Sequence, residues 1–166
     1  NVTMIHSQFV RKEQLDKYVQ YKIRPSFYTL HTYYFAEAHI ANRGREQAMY
    51  LSPMRDAIDK GLKPTNHTDF VVAPLDQMFM MWSAVNRVSR AGAVIGADQR
   101  VTPLEALKAQ TINVARQYGE QDAKGTLEVG KRADFTVLDR DILKVDEEQL
   151  RSAKVKATFV GGERVH

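Results

Sequence analysis

One short stretch places a histidine and an aspartate two residues apart, beside a run of strand-forming residues and a proline. It is TNHTDFVV, residues 65–72, in which His67 and Asp69 precede Pro74. Neutral imidazole and carboxylate groups are suitable zinc ligands, and a carboxylate near a metal-bound water can also act as a general base. An aspartate after a strand also commonly shapes a turn or caps a helix. Position 69 is therefore either a metal-site carboxylate or a turn residue.

Histidine and carboxylate are also the ligands that the rest of the chain offers. No cysteine is present, which excludes disulfides, thiolate zinc sites and cysteine nucleophiles. The internal histidines are His6, His31, His39 and His67, and the fifth, His166, is terminal and predicted to be inert. They do not share a helix in an HExxH arrangement, so their proximity depends on the fold.

The predicted elements place most of these side chains at the ends of strands. Strands are predicted at Val2–Ile5, Ile23–Leu30 and Lys63–Asp69, alternating with helices at Glu13–Tyr21 and Ser52–Gly61. Such alternation favours a parallel sheet or barrel, in which sites lie at the carboxyl ends of the strands. His6, His67 and Asp69 each end a predicted strand, and His31 follows another. We therefore expect these side chains at one edge of a sheet.

Two further regions complete the predicted organisation. The pattern predicts an irregular helix in 31–51, a helix over Leu75–Arg90, and a helix that begins at the capping box of Thr102 and ends near Gly119. After Gly125 the period becomes extended, which predicts strands at Thr126–Glu128, Ala133–Leu138 and Val155–Val160, with a short helix over Glu147–Ala153. The change of period predicts one domain over 1–120 and a mostly β segment over 121–166.

Size and charge exclude several classes of protein. The chain has 166 residues, of which 43% are hydrophobic, enough for a substantial core. Its net charge of +4 comes from basic residues that are scattered, and the pair Arg87 and Arg90 is predicted to lie on a solvated face. We therefore expect no nucleic-acid partner.

The apolar runs and the first residues bear on the membrane and the compartment. No apolar run approaches the roughly 20 residues that span a bilayer, and NVTMIHSQFV does not resemble a signal peptide. We therefore expect no membrane partner. These features favour the cytoplasm, but the chain begins inside a predicted strand, so its first residues do not identify the compartment.

Three segments carry a resemblance to a known family. GTLEVGKRADFTVLDRDILKV, with the later KVKATFVGGERVH, resembles the C-terminal segment of metal-dependent amidohydrolases, where glycine-lysine-x-alanine-aspartate begins a strand and a paired-glycine turn closes the last hairpin. The stretch from HTDFVVAP to INVARQYG is similar to the final barrel strand of that superfamily and the helices after it. PSFYTLHTYYFAEAH is similar to amidohydrolase family 3, the branch that includes N-substituted formamide deformylases. The resemblance covers nearly the whole chain.

The resemblance implies a fold and a set of metal ligands. Members of the superfamily have a (β/α)8 barrel with one or two metal ions, plus a small β-sandwich, and this chain would supply the second half of the barrel followed by strands of the sandwich. His6 would end the fifth barrel strand and His31 would follow the sixth, both as ligands of a divalent metal, with zinc the expected ion. Asp69 would end the eighth strand, ligating the metal and shuttling the proton. Phe35-Ala36-Glu37 stands where the family pattern has Trp-Gly-Asp, which leaves the choice between His31 and His39 open.

Each of the remaining candidate site residues has a functional and a structural interpretation. His39, His67 and Tyr33 are candidates for substrate contacts, while His67 can equally orient Asp69 or make a structural hydrogen bond. Aromatic clusters such as the one around Tyr33 line substrate pockets, but they also form cores. Trp82 is predicted to be a packing residue.

Three functions follow from the sequence. The first is the C-terminal portion of a metal-dependent hydrolase that acts on the C–N bonds of small amides, N-formyl or N-acyl compounds. The second is a catalytically incomplete structural half, because the HxH pair of the family's first strand and its bridging lysine or glutamate are absent from these residues. Half a barrel exposes strand edges, so its expected partners are the missing N-terminal half or further copies of the chain. The third, an unrelated binding protein, is disfavoured by the glycine-lysine-x-alanine-aspartate stretch.

Overall fold

A three-stranded parallel sheet forms the first part of the molecule. In a computed structural model, which describes residues 2–166, the strands are β1 (Val2–His6), β2 (Ile23–Phe27) and β3 (Thr65–Asn66). They lie in the order β1-β2-β3, with His6 opposite Phe27 and Phe27 opposite Asn66. Because all three strands run in one direction, their carboxyl ends meet at one edge of the sheet. The predicted parallel arrangement is confirmed.

Eight α-helices pack on and beyond this sheet. They are α1 (Lys12–Gln20), α2 (His31–Tyr34), α3 (Ala36–Arg43), α4 (Arg45–Met49), α5 (Met54–Asp59), α6 (Gln77–Asn86), α7 (Pro103–Gln110) and α8 (Ile112–Tyr118). Short 3-10 helices cover Ala97–Gln99 and Glu147–Ser152. None of the helices within 2–166 has the length and apolar character needed to cross a bilayer.

Capping residues explain where the best-defined helices begin. Thr102 Oγ1 accepts a hydrogen bond from the Glu105 amide at 3.3 Å, and the Glu105 carboxylate accepts from the Thr102 amide at 2.8 Å. Pro103 occupies the first helical position of α7, where its missing N–H has no cost. Asp76 caps α6 by accepting from the Phe79 amide at 2.9 Å. The predicted capping box of α7 is confirmed.

The main core lies between the outer face of the parallel sheet and the helices. Phe27 from β2 and Leu15 from α1 are fully buried, and they belong to one cluster with Met54 and Met81. Trp82 is also buried in this cluster, so its predicted packing role is confirmed. Burial of such side chains contributes about 1.5 to 3 kcal/mol each. The core therefore holds the three strand ends rigidly enough to define a site.

A second sheet follows in the last third of the chain. It consists of β4 (Phe135–Leu138), β5 (Val155–Val160) and β6 (Glu163–Arg164), which are antiparallel and lie in that order. The Phe135 and Phe159 rings stack across β4 and β5 with their centroids 4.5 Å apart. The 3-10 helix before β5 packs on α6, where Asn86 Nδ2 donates to the Glu147 carbonyl at 3.0 Å. The proposed boundary near residue 120 stays a prediction.

Three predicted elements differ from the structure. The strand predicted at Thr126–Glu128 is wrong, because those residues form a bend and irregular backbone. The strand predicted at Lys63–Asp69 shrinks to β3, since only Thr65 and Asn66 pair with β2, and Asp69 lies in a turn with a left-handed φ of 53°. The single helix predicted after Thr102 is divided at Thr111, whose backbone is non-helical (φ −123°, ψ −96°) and whose hydroxyl donates to the Leu107 carbonyl.

The predicted numbering of the strands within a barrel is also wrong. Fifth, sixth and eighth strands would need another strand between the second and third members of the set. Instead, β2 is hydrogen-bonded directly to β3, with Ser26 opposite Thr65. The three strands are therefore consecutive. Residues 2–166 supply three parallel strands, fewer than the four of half an eight-stranded barrel.

Arg87 was predicted to be solvated together with Arg90, and that prediction is wrong. Its side chain is completely buried, whereas Arg90 is exposed. Arg87 follows α6 with a left-handed φ of 51°, which turns its guanidinium inward. Burial lowers the pKa of Arg87 to about 10, so the group remains charged at neutral pH.

Gly96 lies beside this buried guanidinium and against the Met49 carbonyl. A Cβ added at Gly96 would lie 1.9 Å from the Met49 carbonyl oxygen and 3.3 Å from Arg87 Nη2, and its φ of +63° is left-handed. Gly92 has a similar φ of +88° but open space around it.

We expect Gly96→Ala to lower the free energy of unfolding by about 3 kcal/mol or more, because steric overlap adds to the left-handed penalty. Gly92→Ala should cost only about 1 to 2 kcal/mol. Chemical denaturation of the two variants measures the difference. Equal losses would show that the contact with Met49 is easily relieved.

Candidate active site

The last residue of β1 and the loop after β3 bring a histidine and an aspartate into contact. His6 Nε2 lies 3.3 Å from Asp69 Oδ1, with 41% of the His6 side chain and 33% of the Asp69 side chain exposed. One ligand atom each from His6, His67 and Asp69 can be chosen so that all three atoms lie within 4.8 Å of one another. His6 and Asp69 both have left-handed φ values, 64° and 53°. Strained backbone of this kind clusters at functional sites, and here it turns both side chains toward one point.

The imidazoles and one phenol form a continuous cluster at this edge of the sheet. The His6 ring centroid lies 5.1 Å from that of His67 and 5.6 Å from that of His31. The Tyr28 ring lies 4.4 Å from the His31 ring and 5.9 Å from the His67 ring. The structure therefore brings His6, His31, His67 and Asp69 together, as expected from their strand-end positions.

Several polar atoms in this cluster are buried without a hydrogen-bond partner among residues 2–166. They are His6 Nε2, His31 Nδ1, His67 Nε2 and the Tyr28 hydroxyl. An unpartnered buried polar atom costs about 1 to 3 kcal/mol, so native structures seldom retain one without a reason. Four such atoms in one cluster indicate that it binds a ligand.

Ser26 orients the His67 ring. Its hydroxyl lies 3.0 Å from His67 Nδ1. In the tautomer in which Nδ1 donates to this hydroxyl, Nε2 presents its lone pair to His6 and Asp69. Metal-binding histidines are commonly oriented in this way by a hydrogen bond to the other ring nitrogen.

A buried polar network fixes the loop that carries His31 to the end of β3. Asn66 Oδ1 accepts from the Thr29 amide at 3.1 Å, and Asn66 Nδ2 donates to the Thr29 hydroxyl at 2.8 Å. The Thr29 hydroxyl also lies 2.7 Å from the Ser83 hydroxyl of α6. These satisfied groups tie β3, the loop after β2 and α6 together, which sets the distance between His31 and Asp69.

Burial keeps the inner imidazoles neutral. It lowers the pKa of His31 to about 3, helped by the neighbouring histidines and opposed by Asp69. Burial also lowers the pKa of His67 to about 4. Burial raises the pKa of Tyr28 to about 12, so its hydroxyl stays protonated. Neutral imidazole is the form that binds metal ions, so His31 and His67 are in the ligating form at neutral pH.

The other two predicted site residues lie at the margin of the cluster. His39, in α3, places its Nε2 2.5 Å from the Gln8 side-chain amide nitrogen and its ring edge against Phe9. Its ring centroid is 6.4 Å from that of His31. Tyr33 packs in the hydrophobic layer, with its ring 4.8 Å from that of Phe79 on α6.

An open cavity of about 320 Å³ borders the cluster beside β3. Its lining includes His67 and Ser26 together with three glutamines, Gln77, Gln110 and Gln117. The cavity is large enough for a small molecule and offers several hydrogen-bonding groups near the imidazoles.

The donor set fits a divalent metal. Imidazole nitrogen and carboxylate oxygen are the usual protein ligands of zinc in a cysteine-free site. His6 Nε2 and His67 Nε2 are both unpartnered, and one ligand atom from each of these residues lies within 4.8 Å of the other and of an Asp69 oxygen. Three protein ligands with a further position open to water are typical of catalytic metal sites, so a three-residue donor set is compatible with that class.

The sequence interpretation missed Ser26 and Tyr28. Both lie at the carboxyl end of β2, where residues two apart face the same side of a strand. A period of two that continues from Ser26 to Tyr28, directly before His31, is the signal that could have identified them.

A parallel sheet with imidazoles and a carboxylate at its carboxyl edge defines the chain as an α/β protein with a candidate metal site at the strand ends. The chain belongs to the amidohydrolase family: the sequence model of that family matches residues 1–166. The match supports the family 3 branch. The resemblance stated from the three sequence segments is thereby confirmed.

Individual proteins agree with this assignment. The N-substituted formamide deformylase of Arthrobacter pascens is 37% identical over 121 residues, which cover 72% of this chain and 22% of that protein. A crystal structure of an uncharacterized metal-dependent hydrolase from Pyrococcus furiosus superposes with a TM-score of 0.72 at 30% identity, covering 86% of this chain and 29% of that one. One from Pyrococcus horikoshii gives 0.75 at 28% identity, covering 87% and 30%. The chain thus spans less than a third of each of these proteins.

Proposed function

We propose that these residues form part of the active site of a metal-dependent hydrolase that cleaves C–N bonds in small amides, including N-formyl and N-acyl compounds. His6, His67 and Asp69 would hold the divalent metal, with zinc as the ion that suits this donor set. His31 is the alternative second imidazole, because its Nδ1 is also buried and unpartnered. The observation that carries the proposal is the convergence of three ligand atoms within 4.8 Å at the strand ends.

In the proposed reaction, Asp69 transfers the proton. The chemistry that a bound metal supplies is polarisation of the amide carbonyl and a lowered pKa for water. Asp69 accepts a proton from the attacking water as the new C–O bond forms. It then donates that proton to the nitrogen as the C–N bond breaks, which releases an acid and an amine. Asp69 is suited to this exchange because one third of its side chain is exposed beside His6.

Substrate recognition is proposed for the cavity beside His67. Its amide side chains can donate to and accept from a polar substrate, and its volume suits a small molecule. The similarity to N-substituted formamide deformylase supports N-formyl and other small amides as the first compounds to test. His39 and Tyr33 lie at the margin of the cluster and are proposed to shape the approach to it.

A second function, an assembly segment without activity of its own, is favoured by the exposed edge of β1. Val2, Met4 and Ile5 are between 42% and 59% exposed although they belong to a strand. Within 2–166, β1 pairs with β2 alone, so its other edge is free to pair with another segment. The partner would be the remaining part of a barrel, on a separate polypeptide or on the same one, or another copy of this chain.

Metal removal tests the hydrolase proposal. We expect the natural polypeptide that contains these residues to bind zinc stoichiometrically and to hydrolyse small N-formyl or N-acyl amides. A chelator should abolish turnover and lower the melting temperature, because metal binding stabilises only the folded state. Zinc should restore both. Turnover that survives complete metal removal would refute the proposal, while an isolated 166-residue chain that associates without metal or turnover would support the assembly function.

A further inference from the structure

The buried guanidinium of Arg87 makes three directional hydrogen bonds. Nε donates to the Ile95 carbonyl at 2.7 Å, Nη1 to the Ser52 carbonyl at 3.1 Å and Nη2 to the Leu51 carbonyl at 2.5 Å. All three partners are backbone carbonyls, one of them eight residues later in the chain and the other two 35 and 36 residues earlier. Arg87 therefore fixes the turn at Leu51 and Ser52 to the end of α6.

The Leu51–Ser52 turn also holds the segment that follows His6 and the segment that precedes His31. The Ser52 amide donates to the Gln8 carbonyl at 2.9 Å, two residues beyond His6. The Ser52 hydroxyl lies 3.4 Å from the Tyr28 carbonyl, which also accepts from the His31 amide at 3.1 Å where α2 begins. Ser52 reaches both carbonyls from a left-handed conformation with φ 46°, which needs support from its surroundings.

A charged residue is an expensive choice for packing alone. Replacing buried charges by apolar side chains of similar volume is often neutral or stabilising, because charge desolvation is avoided. An apolar side chain cannot donate hydrogen bonds to three carbonyls at once. The rigid, planar guanidinium does so in a fixed geometry. Orientation of the Leu51–Ser52 turn accounts for the buried arginine better than core filling does.

We propose that Arg87 is a positioning residue for the metal site, acting through the Leu51–Ser52 turn on the loops that carry His6 and His31. The inference rests on the proposed function for the identity of the metal. The connection from Arg87 through the Leu51–Ser52 turn to the site depends only on the hydrogen bonds. Arg87 does not touch the cluster, so its effect is on ligand geometry. Changes behind the ligands of metal sites typically cost 10- to 100-fold in metal affinity or activity.

Two substitutions at position 87 and one at position 90 test the link in the natural polypeptide. Arg87→Lys keeps the charge but cannot reach all three carbonyls, and Arg87→Met removes the donors while keeping similar length. Arg90→Met is the matched control, because Arg90 is exposed three residues away. Zinc affinity is measured by competition with a chromophoric chelator well below the melting temperature, and hydrogen exchange is followed at the Ser52 and His31 amides without metal.

We expect Arg87→Lys to weaken zinc binding about tenfold, at the lower end of the range for such positions. It should also reduce kcat more than it raises KM and speed exchange at both amides, and Arg90→Met should match the wild type. A lower melting temperature with unchanged amide protection and zinc affinity in Arg87→Lys would overturn the proposal. So would a failure of both position-87 variants to fold, because Arg87 would then be required for folding itself. A wild type without zinc or turnover would refute the proposed hydrolase function, and amide exchange would still decide the role of Arg87.

Discussion

Asp69→Asn is expected to abolish turnover while leaving the fold intact. The substitution keeps the size and shape of the side chain but replaces the carboxylate by an amide, which cannot accept the proton of the attacking water. General-base catalysis contributes about 10²- to 10⁴-fold, and Asp69 is also a proposed metal ligand, so we expect kcat to fall by about 10³-fold or more. The backbone should tolerate the change, because asparagine adopts the left-handed φ of 53° at this position readily.

Asp76→Asn is the matched control for this experiment. Asp76 caps α6 by accepting from the Phe79 amide, and asparagine caps helices about as well as aspartate. The control should leave kcat, KM and the melting temperature close to those of the wild type. Steady-state kinetics with metal content measured on the same samples makes the comparison. An Asp69→Asn enzyme that turns over within tenfold of the wild type would remove Asp69 from the proton transfer.

The fold at the strand ends was predictable because its signals are local. Strand-forming runs that alternate with amphipathic helices imply parallel strands, and parallel strands place His6 and Asp69 at the same edge. The capping box of Thr102 and Glu105 is likewise satisfied within four residues. These inferences need only the period of the pattern and the direction of the strands.

The burial of Arg87 was not predictable in this way. An arginine inside the predicted helix Leu75–Arg90 and close to a second arginine favours a solvated face. In the structure α6 ends at Asn86, and the left-handed turn at position 87 reverses the direction of the side chain. Its partners are carbonyls of residues 51, 52 and 95, and backbone carbonyls leave no trace in the side-chain pattern. Tertiary packing decides whether such an arginine is buried or exposed.

The choice among the histidines also depends on loop conformation. Strand-end positions bring His31 and His67 near His6, but which ring nitrogen faces Asp69 depends on local contacts. For His67 the deciding contact is with Ser26, 41 residues earlier in the chain. His31 begins α2 instead of ending a strand, which places its ring against Tyr28. A single sequence indicates the group of candidates but not their order around a metal.

His6→Asn is expected to weaken metal binding by at least about a hundredfold. Substitution of residues that only support the metal ligands lowers metal affinity by about 10- to 100-fold. Removal of an imidazole that binds the metal directly should therefore lower it by the upper end of that range or more. Asparagine is the informative replacement because it accepts the left-handed φ of 64° at position 6, so the backbone that orients the loop is kept. Isothermal titration with zinc at pH 7.5 measures the loss, with the melting temperature as a check on folding.

His39→Asn separates the role of His6 from that of the outer histidine. His39 lies beside His31 at the margin of the cluster and contacts Gln8 and Phe9. The same substitution, histidine to asparagine, removes the imidazole ring at position 6 or at position 39. We expect its zinc affinity to stay within about threefold of the wild type, because His39 is not one of the three residues whose ligand atoms converge beside Asp69, so the ligands themselves are kept. Equal losses from both variants would mean that metal binding depends on both rings, and the proposed ligand set of His6, His67 and Asp69 would then be wrong. Loss from His6→Asn alone places the metal beside Asp69, where proton transfer can occur.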